Sequence, residues 1–380
     1  MPSLLDLPPE LIDNIAELVY AVDPKQYLGT VHRAFLPISR RLFFRDTAIK
    51  MDRVARLSDL LHVHEDLASC VKFLALLPSA SPARDISLRS LLAVLPGLTV
   101  LWVATETALK EVFSPLPGSL ASLSALIVVP SDNPADPSTV LRIPPYPNLR
   151  KFTIALSLSA PLPLISRLPP ASVEDLTPSA VEHLHLFGDL ASVAACLIAQ
   201  CPHLEALTLA PSTNTSLAPL LAAIIAPQNL RVLELRHTVV VDDLSATFTS
   251  LVGLKELSFE AAHLSPPFCA TLRHLPSLSS IHLGSSPSAS LADILPLVQL
   301  HTSPLSLARL SLDDPKPERR RLDTSPLPPP RLSKDGVAVL LTAAEQVGLE
   351  LSGYCVKVVK AEQAERAKRA ARAARRGAQR

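Results

Sequence analysis

Glycine is scarce in this chain, with 10 residues in 380. That speaks against folds that cradle phosphates in glycine-rich loops, and no G-x-x-x-x-G-K-[ST], G-x-G-x-x-G or G-x-S-x-G motif occurs. Aromatic residues are only 4% of the chain, with a single Trp, so a core must be built from aliphatic side chains. No apolar run approaches the roughly 18 residues of a membrane span. Asp6, Glu10 and Asp13 stand where a secretory leader would be basic and then apolar. Five cysteines, odd in number and widely spaced, do not suggest a disulfide framework. Charge of one sign is also missing. The net charge is +1, so the chain as a whole has no electrostatic claim on nucleic acid, and neither nucleic acid nor a membrane is an expected partner. The expected setting is the cytoplasm, the nucleus or both.

What is present is leucine, alanine and 37 prolines, in a chain that is 48% hydrophobic. The leucines recur as L-x-x-L-x-L. The clearest copies are Leu204-Leu207-Leu209, Leu230-Leu233-Leu235, Leu254-Leu257-Phe259 and Leu278-Ile281-Leu283. Looser ones are Leu98-Leu101-Val103, Leu123-Leu126-Val128, Leu149-Phe152-Ile154, Val181-Leu184-Leu186 and Leu307-Leu310-Leu312, with Val71-Leu74-Leu76 opening the series. Their spacing of roughly 23 to 32 residues overlaps the ~20–29 of a leucine-rich repeat. The last two apolar positions of each copy are two apart, so they share one face of a short strand. Aliphatic segments between copies, such as SLAPLLAAIIA, suit helices that cover that face. Each unit leaves one side uncovered, and stacking buries it. The expected fold is α/β: a leucine-rich-repeat solenoid, a curved parallel sheet with outer helices, preceded by a small all-α domain.

That leading domain is read from residues 1–50. Pro8 and Pro9 suit a helix start. Leu11, Ile12, Ile15, Leu18 and Val19 then follow at helical spacing. Leu28, Val31 and Phe35 make a second apolar stripe, and Ile38, Leu42, Phe43 and Ile49 a third. The stretches LPPELIDNI and VHRAFLPISRRLFF resemble an F-box, and the layout is similar to fungal F-box proteins with degenerate leucine-rich repeats. The resemblance implies a substrate receptor of a cullin-RING (SCF-type) ubiquitin ligase. It further implies contacts to a Skp-type adaptor by Leu7, Pro8, Leu11, Ile12, Ile15, Val31 and Phe35, with the repeats holding an unidentified protein substrate. The family often has Trp near Phe35 and Phe43; here both places hold Phe. The alternatives are a cap for the array, which solenoids require, and a repeat scaffold unconnected to ubiquitination.

No enzymatic constellation emerges. The HVHE run at His62–Glu65 lacks zincin spacing, and Cys196 and Cys201 read as buried structural thiols. No catalytic residue, metal or cofactor is expected. A protein-binding surface is. Residues alternating with the buried ones face the open, concave side of the sheet. They give Phe73, Val100, Trp102, Ile127, His183, His185, Phe187, Glu234 and Arg236 as candidate partner-binding positions. The expected organisation is an F-box-like domain over 1–50 and degenerate repeats over 51–312. A Pro- and charge-rich loop follows over 313–332, then a terminal repeat or cap over 333–360 and a basic, helix-prone tail over 361–380.

Overall fold

The computed structural model describes residues 7–22, 36–79, 88–113, 120–129, 143–155, 178–188, 191–210, 218–236, 250–260, 275–284, 307–313 and 334–378, with isolated positions at 248, 272, 294–295 and 298. Val31, Phe35 and the loop expected after Asp313 lie outside the described residues. The chain forms two compact units, Met1–Val181 and Glu182–Arg380.

In the first unit, helices α1 (Pro9–Val22) and α2 (Leu36–Arg45) lead directly into strand β1 (Asp46–Lys50). Helices α3 (Val54–Val63) and α4 (Glu65–Cys70), strand β2 (Phe73–Leu77), helix α5 (Leu88–Ala93), strand β3 (Val100–Val103), helix α6 (Glu106–Phe113) and strands β4 (Ala125–Val128) and β5 (Lys151–Ala155) follow. The strands pair in chain order, all parallel. Their register aligns the repeated apolar positions: Leu74, Leu101, Leu126 and Phe152 in one row, Leu76, Val103, Val128 and Ile154 in the next. All eight are buried. Helices α3, α5 and α6 pack successively on one another.

The second unit repeats the scheme. Strands β6 (His183–Phe187), β7 (Ala206–Ala210), β8 (Val232–Arg236), β9 (Glu256–Glu260), β10 (Ser280–Gly284), β11 (Arg309–Asp313) and β12 (Glu350–Ser352) are parallel and paired in order. One buried row runs Leu184, Leu207, Leu233, Leu257, Ile281, Leu310 and Leu351. Described helices are α7 (Ala191–Ala199), α8 (Ala218–Ala222), α9 (Lys334–Val347) and α10 (Tyr354–Ala378). Parallel strands in chain order with a helix on the crossover are the geometry of a leucine-rich-repeat solenoid, and both units have it.

One expectation requires correction, and a second is extended. The series opens one strand earlier than Val71, because Asp46–Lys50 pairs with β2, placing Thr47 opposite Leu74 and Ile49 opposite Leu76. Ile49 therefore belongs to a strand rather than a third helix. The reason lies in the backbone ladder: the Lys72 amide donates to the Arg45 carbonyl at 2.9 Å, the link that later repeats also use at strand entry. In those repeats one carbonyl takes two amides, as Lys72 does from Thr99 and Val100, Glu182 from Glu205 and Ala206, and Arg231 from Lys255 and Glu256. The Thr99 hydroxyl also donates to the Lys72 carbonyl at 2.9 Å, and the Ser279 hydroxyl to the Lys255 carbonyl, which takes the Ser279 and Ser280 amides, at 3.1 Å.

The repeat is also longer than L-x-x-L-x-L. Three residues before its first apolar position stands another buried side chain, and a turn closes between them. The amides of Leu98, Leu123, Leu149, Leu204, Leu254 and Leu278 donate to the carbonyls of Leu95, Leu120, Tyr146, Cys201, Leu251 and Leu275. Pro96, Pro147, Pro202 and Pro276 occupy the second place of these turns, where a fixed φ pre-forms the bend. Four of the 37 prolines are thus structural punctuation. Cys201 is the turn-opening residue of its repeat. Its Sγ–H donates to the Leu197 carbonyl at 3.3 Å, and burial pushes its pKa up to about 12. Tyr146 holds the same place in another repeat, donates to the Val112 carbonyl and is likewise raised to about 12 by burial.

Candidate interaction surfaces

Alternation along the strands sends every second residue to the face opposite the leucine rows. In the first unit, register sets Phe73 beside Val100 and Trp102 beside Ile127. All four are half-buried. Leu77 and Val129 extend the patch at its strand ends. The indole Nε1 of Trp102 and the Thr105 hydroxyl are buried without a hydrogen-bond partner among the described residues. This face can offer apolar contact area and little charge.

The second unit differs. His183 is exposed, whereas His185, Phe187, Glu234 and Arg236 belong to one connected network. The Thr208 hydroxyl donates to Glu234 Oε2 at 3.0 Å. With its single proton so used, it accepts from His185 Nδ1–H at 2.9 Å, which fixes that nitrogen as the protonated one. Arg236 closes the far side, donating from Nε at 2.8 Å and Nη2 at 2.6 Å to Glu234 Oε1. Its guanidinium also lies 5.9 Å from the centre of the Phe187 ring. Chemically this is a rigid polar platform. It is not a nucleophile triad, because the hydroxyl's proton is held by the carboxylate and the imidazole donates to the hydroxyl instead of accepting from it.

Register, not sequence proximity, brings these groups together, since His185, Thr208 and Glu234 stand in one lateral row. Thr208 was absent from the sequence-derived set, and alternation alone could have found it. Its hydroxyl is the pivot and its side chain is buried. Thr208→Val should therefore cost about 1–3 kcal/mol, by removing the hydroxyl that His185 Nδ1 and Glu234 Oε2 both use. Thr208→Ser should stay close to wild type. Urea unfolding of both variants checks this.

A third surface lies at the N-terminal helices. Arg41 of α2 pairs with Asp13 at 2.9 Å, and Arg45 with Glu17 at 3.7 Å. The Arg45 guanidinium also approaches the Tyr20 ring, at 5.7 Å. The polar edge of α1 thus faces α2. Two of its leucines face outward: Leu11 is 48% exposed and Leu18, two turns on, is 68% exposed, whereas Ala16 is buried and Ile12, Ile15 and Val19 are half-buried. Phe43 on α2 is exposed as well. Of the residues implied by the F-box resemblance, Leu7, Ile12 and Ile15 are half-buried and Pro8 is exposed. Helix α2 packs on α4, which ties this pair to the first repeats.

Among the described residues there is no group of three or more His, Cys, Asp or Glu able to hold a metal ion, and no helix long and apolar enough to cross a membrane. No family model and no curated protein matches the chain. Among solved structures it is similar to an internalin (inlF) from Listeria monocytogenes, at 14% identity and a TM-score of 0.30 over 61% of this chain and 79% of that one. It is also similar to an internalin C2 (inlC2) from the same organism, again at 14% identity and a TM-score of 0.30, over 67% of this chain and 92% of that one. Likeness at this level carries no functional argument. The class assigned here, a leucine-rich-repeat solenoid protein, rests on the strand order and the register.

Proposed function

We propose that the chain is a non-enzymatic interaction protein. Its repeat sheet holds a protein partner, and its N-terminal helices dock a Skp-type adaptor, making it a substrate receptor of an SCF-type ubiquitin ligase. The observation that carries the adaptor half is the exposure of Leu11 and Leu18, which lie on one side of α1. A helix that only capped the array would turn leucines inward and charges outward. Here Asp13 and Glu17 are spent on α2, while Leu11 and Leu18 are left in water. The ion pairs are solvent-exposed and contribute little stability, so the arrangement makes sense as presentation of an apolar stripe to a groove.

The test is capture of purified Skp-type adaptor by the full chain. Because both leucines are exposed, Leu11→Asp with Leu18→Asp should leave the fold intact and reduce adaptor capture at least about tenfold. No capture by the wild-type chain would defeat the adaptor half and leave a repeat-based protein-binding scaffold. That second reading has its own support, since α2 packs on α4 and runs without a linker into β1, as an end cap would.

A further inference from the structure

The net charge of +1 conceals a strong local imbalance. Helix α10 begins on the second unit, where Val356 and Val359 are buried and the helix packs against α9 and β11. From Lys360 to Arg372 every residue except the half-buried Glu362 is exposed. The helix therefore leaves its anchor and continues as an arm. Beyond Glu365 the chain holds no acid, while Arg366, Lys368, Arg369, Arg372, Arg375 and Arg376 fall within the helix. At 3.6 residues per turn, positions 368, 369 and 372 share one stripe. Arg366, Ala367, Ala370 and Ala371 lie off it.

We infer that this arm binds the phosphate backbone of duplex DNA, without sequence preference, through its basic stripe. The inference goes beyond the proposed receptor role and does not depend on it. Three features favour DNA. A helix that docks in a protein groove needs large apolar anchors at helical spacing, and one that lies on a membrane needs Leu, Phe or Trp opposite its charges. Past Val359 this arm offers alanine and glycine as its only apolar residues. Arginine outnumbers lysine in the stripe, which suits bidentate contact with phosphate oxygens. The alanines on most of the remaining positions keep the helix slim enough for the B-form major groove, about 12 Å wide, whereas the A-form groove of duplex RNA is deep and narrow.

The experiment uses the full chain and a short labelled DNA duplex of random sequence, read by fluorescence anisotropy over a salt series. The comparison variant replaces Arg369, Arg372, Arg375 and Arg376 with Gln, which is about as good a helix former. Wild type should bind at low salt, and its log affinity should fall linearly with log salt. The variant should bind at least about tenfold more weakly, with a salt slope flatter by up to ~0.9 for each lost phosphate contact. Circular dichroism should show equal helix content in the two chains. Equal binding by the two chains, or none by wild type at low salt, would overturn the inference. Equal or tighter binding to polyglutamate would overturn it in favour of an acidic protein partner, and equal or tighter binding to duplex RNA would overturn the choice of DNA.

Discussion

Phe152→Ala is expected to lower stability by about 3–5 kcal/mol, the range for deleting a fully buried phenyl group. Phe152 has no solvent exposure. It stands opposite Leu126 on the neighbouring strand, and the Phe113 ring of α6 meets it edge-on with ring centres 6.4 Å apart. Earlier repeats fill this row with Leu74, Leu101 and Leu126. Phe152→Leu therefore keeps the local pattern and loses only the ring contact, and it should cost much less. Urea unfolding separates the two: the Ala variant should lose a large part of the transition midpoint with little change in slope. Against a typical net stability of roughly 5–15 kcal/mol, such a loss approaches the point at which a domain no longer stays folded. A midpoint close to wild type for Phe152→Ala would mean that this row does not hold the unit together.

Gly353→Ala is the second large effect. Gly353 lies between the end of β12 and the start of α10, with φ near +120°, a backbone conformation that a side chain resists. A Cβ placed there would stand 1.7 Å from the Leu312 carbonyl oxygen on β11. That oxygen is backbone and cannot rotate aside. Either β12 leaves β11 or the helix start shifts. Strain at such a position costs of order 1–3 kcal/mol before any overlap is counted, so a total above about 3 kcal/mol is expected. The loss should appear as unfolding at lower urea and as early proteolysis within α10, with the wild-type chain as reference. Unchanged proteolysis would show that the last strand and the helix do not share this joint.

These sites also show why sequence reading reached the fold more fully than its edges. The rows of buried Leu, Val and Ile follow from a period of two within strands and a near-constant return between them, and both are written in the residues. Strand β1 escaped because Thr47 holds the place that leucine marks elsewhere, and because Ile49 also fitted a helical stripe. The turn-opening position escaped because its occupants differ in chemistry: Leu95, Tyr146 and Cys201 share only burial. Alternation placed His185, Phe187, Glu234 and Arg236 on one face. It could not supply the hydrogen bonds among them, because those depend on lateral register and on an unremarkable threonine. For α1 the amphipathic pattern was plain, but not the orientation. Pattern gives one apolar stripe, and only the packing against α2 decides that Ala16 is buried while Leu11 and Leu18 stay exposed.

The acceptance of one or two amides by a carbonyl at the described strand entries has an evolutionary consequence. Adjacent repeats are fastened at one end of each strand by a carbonyl that grips the next chain segment, whatever the length of peptide travelled in between. A single such bond, from the Glu350 amide to the Ala308 carbonyl at 2.9 Å, and the register of Arg309 with Glu350 survive the longest such excursion, one that passes through the proline- and charge-rich stretch. Connecting peptide can therefore be added, trimmed or rewritten by mutation while the fastening holds. A lineage built this way can explore new partners at little risk to its own architecture.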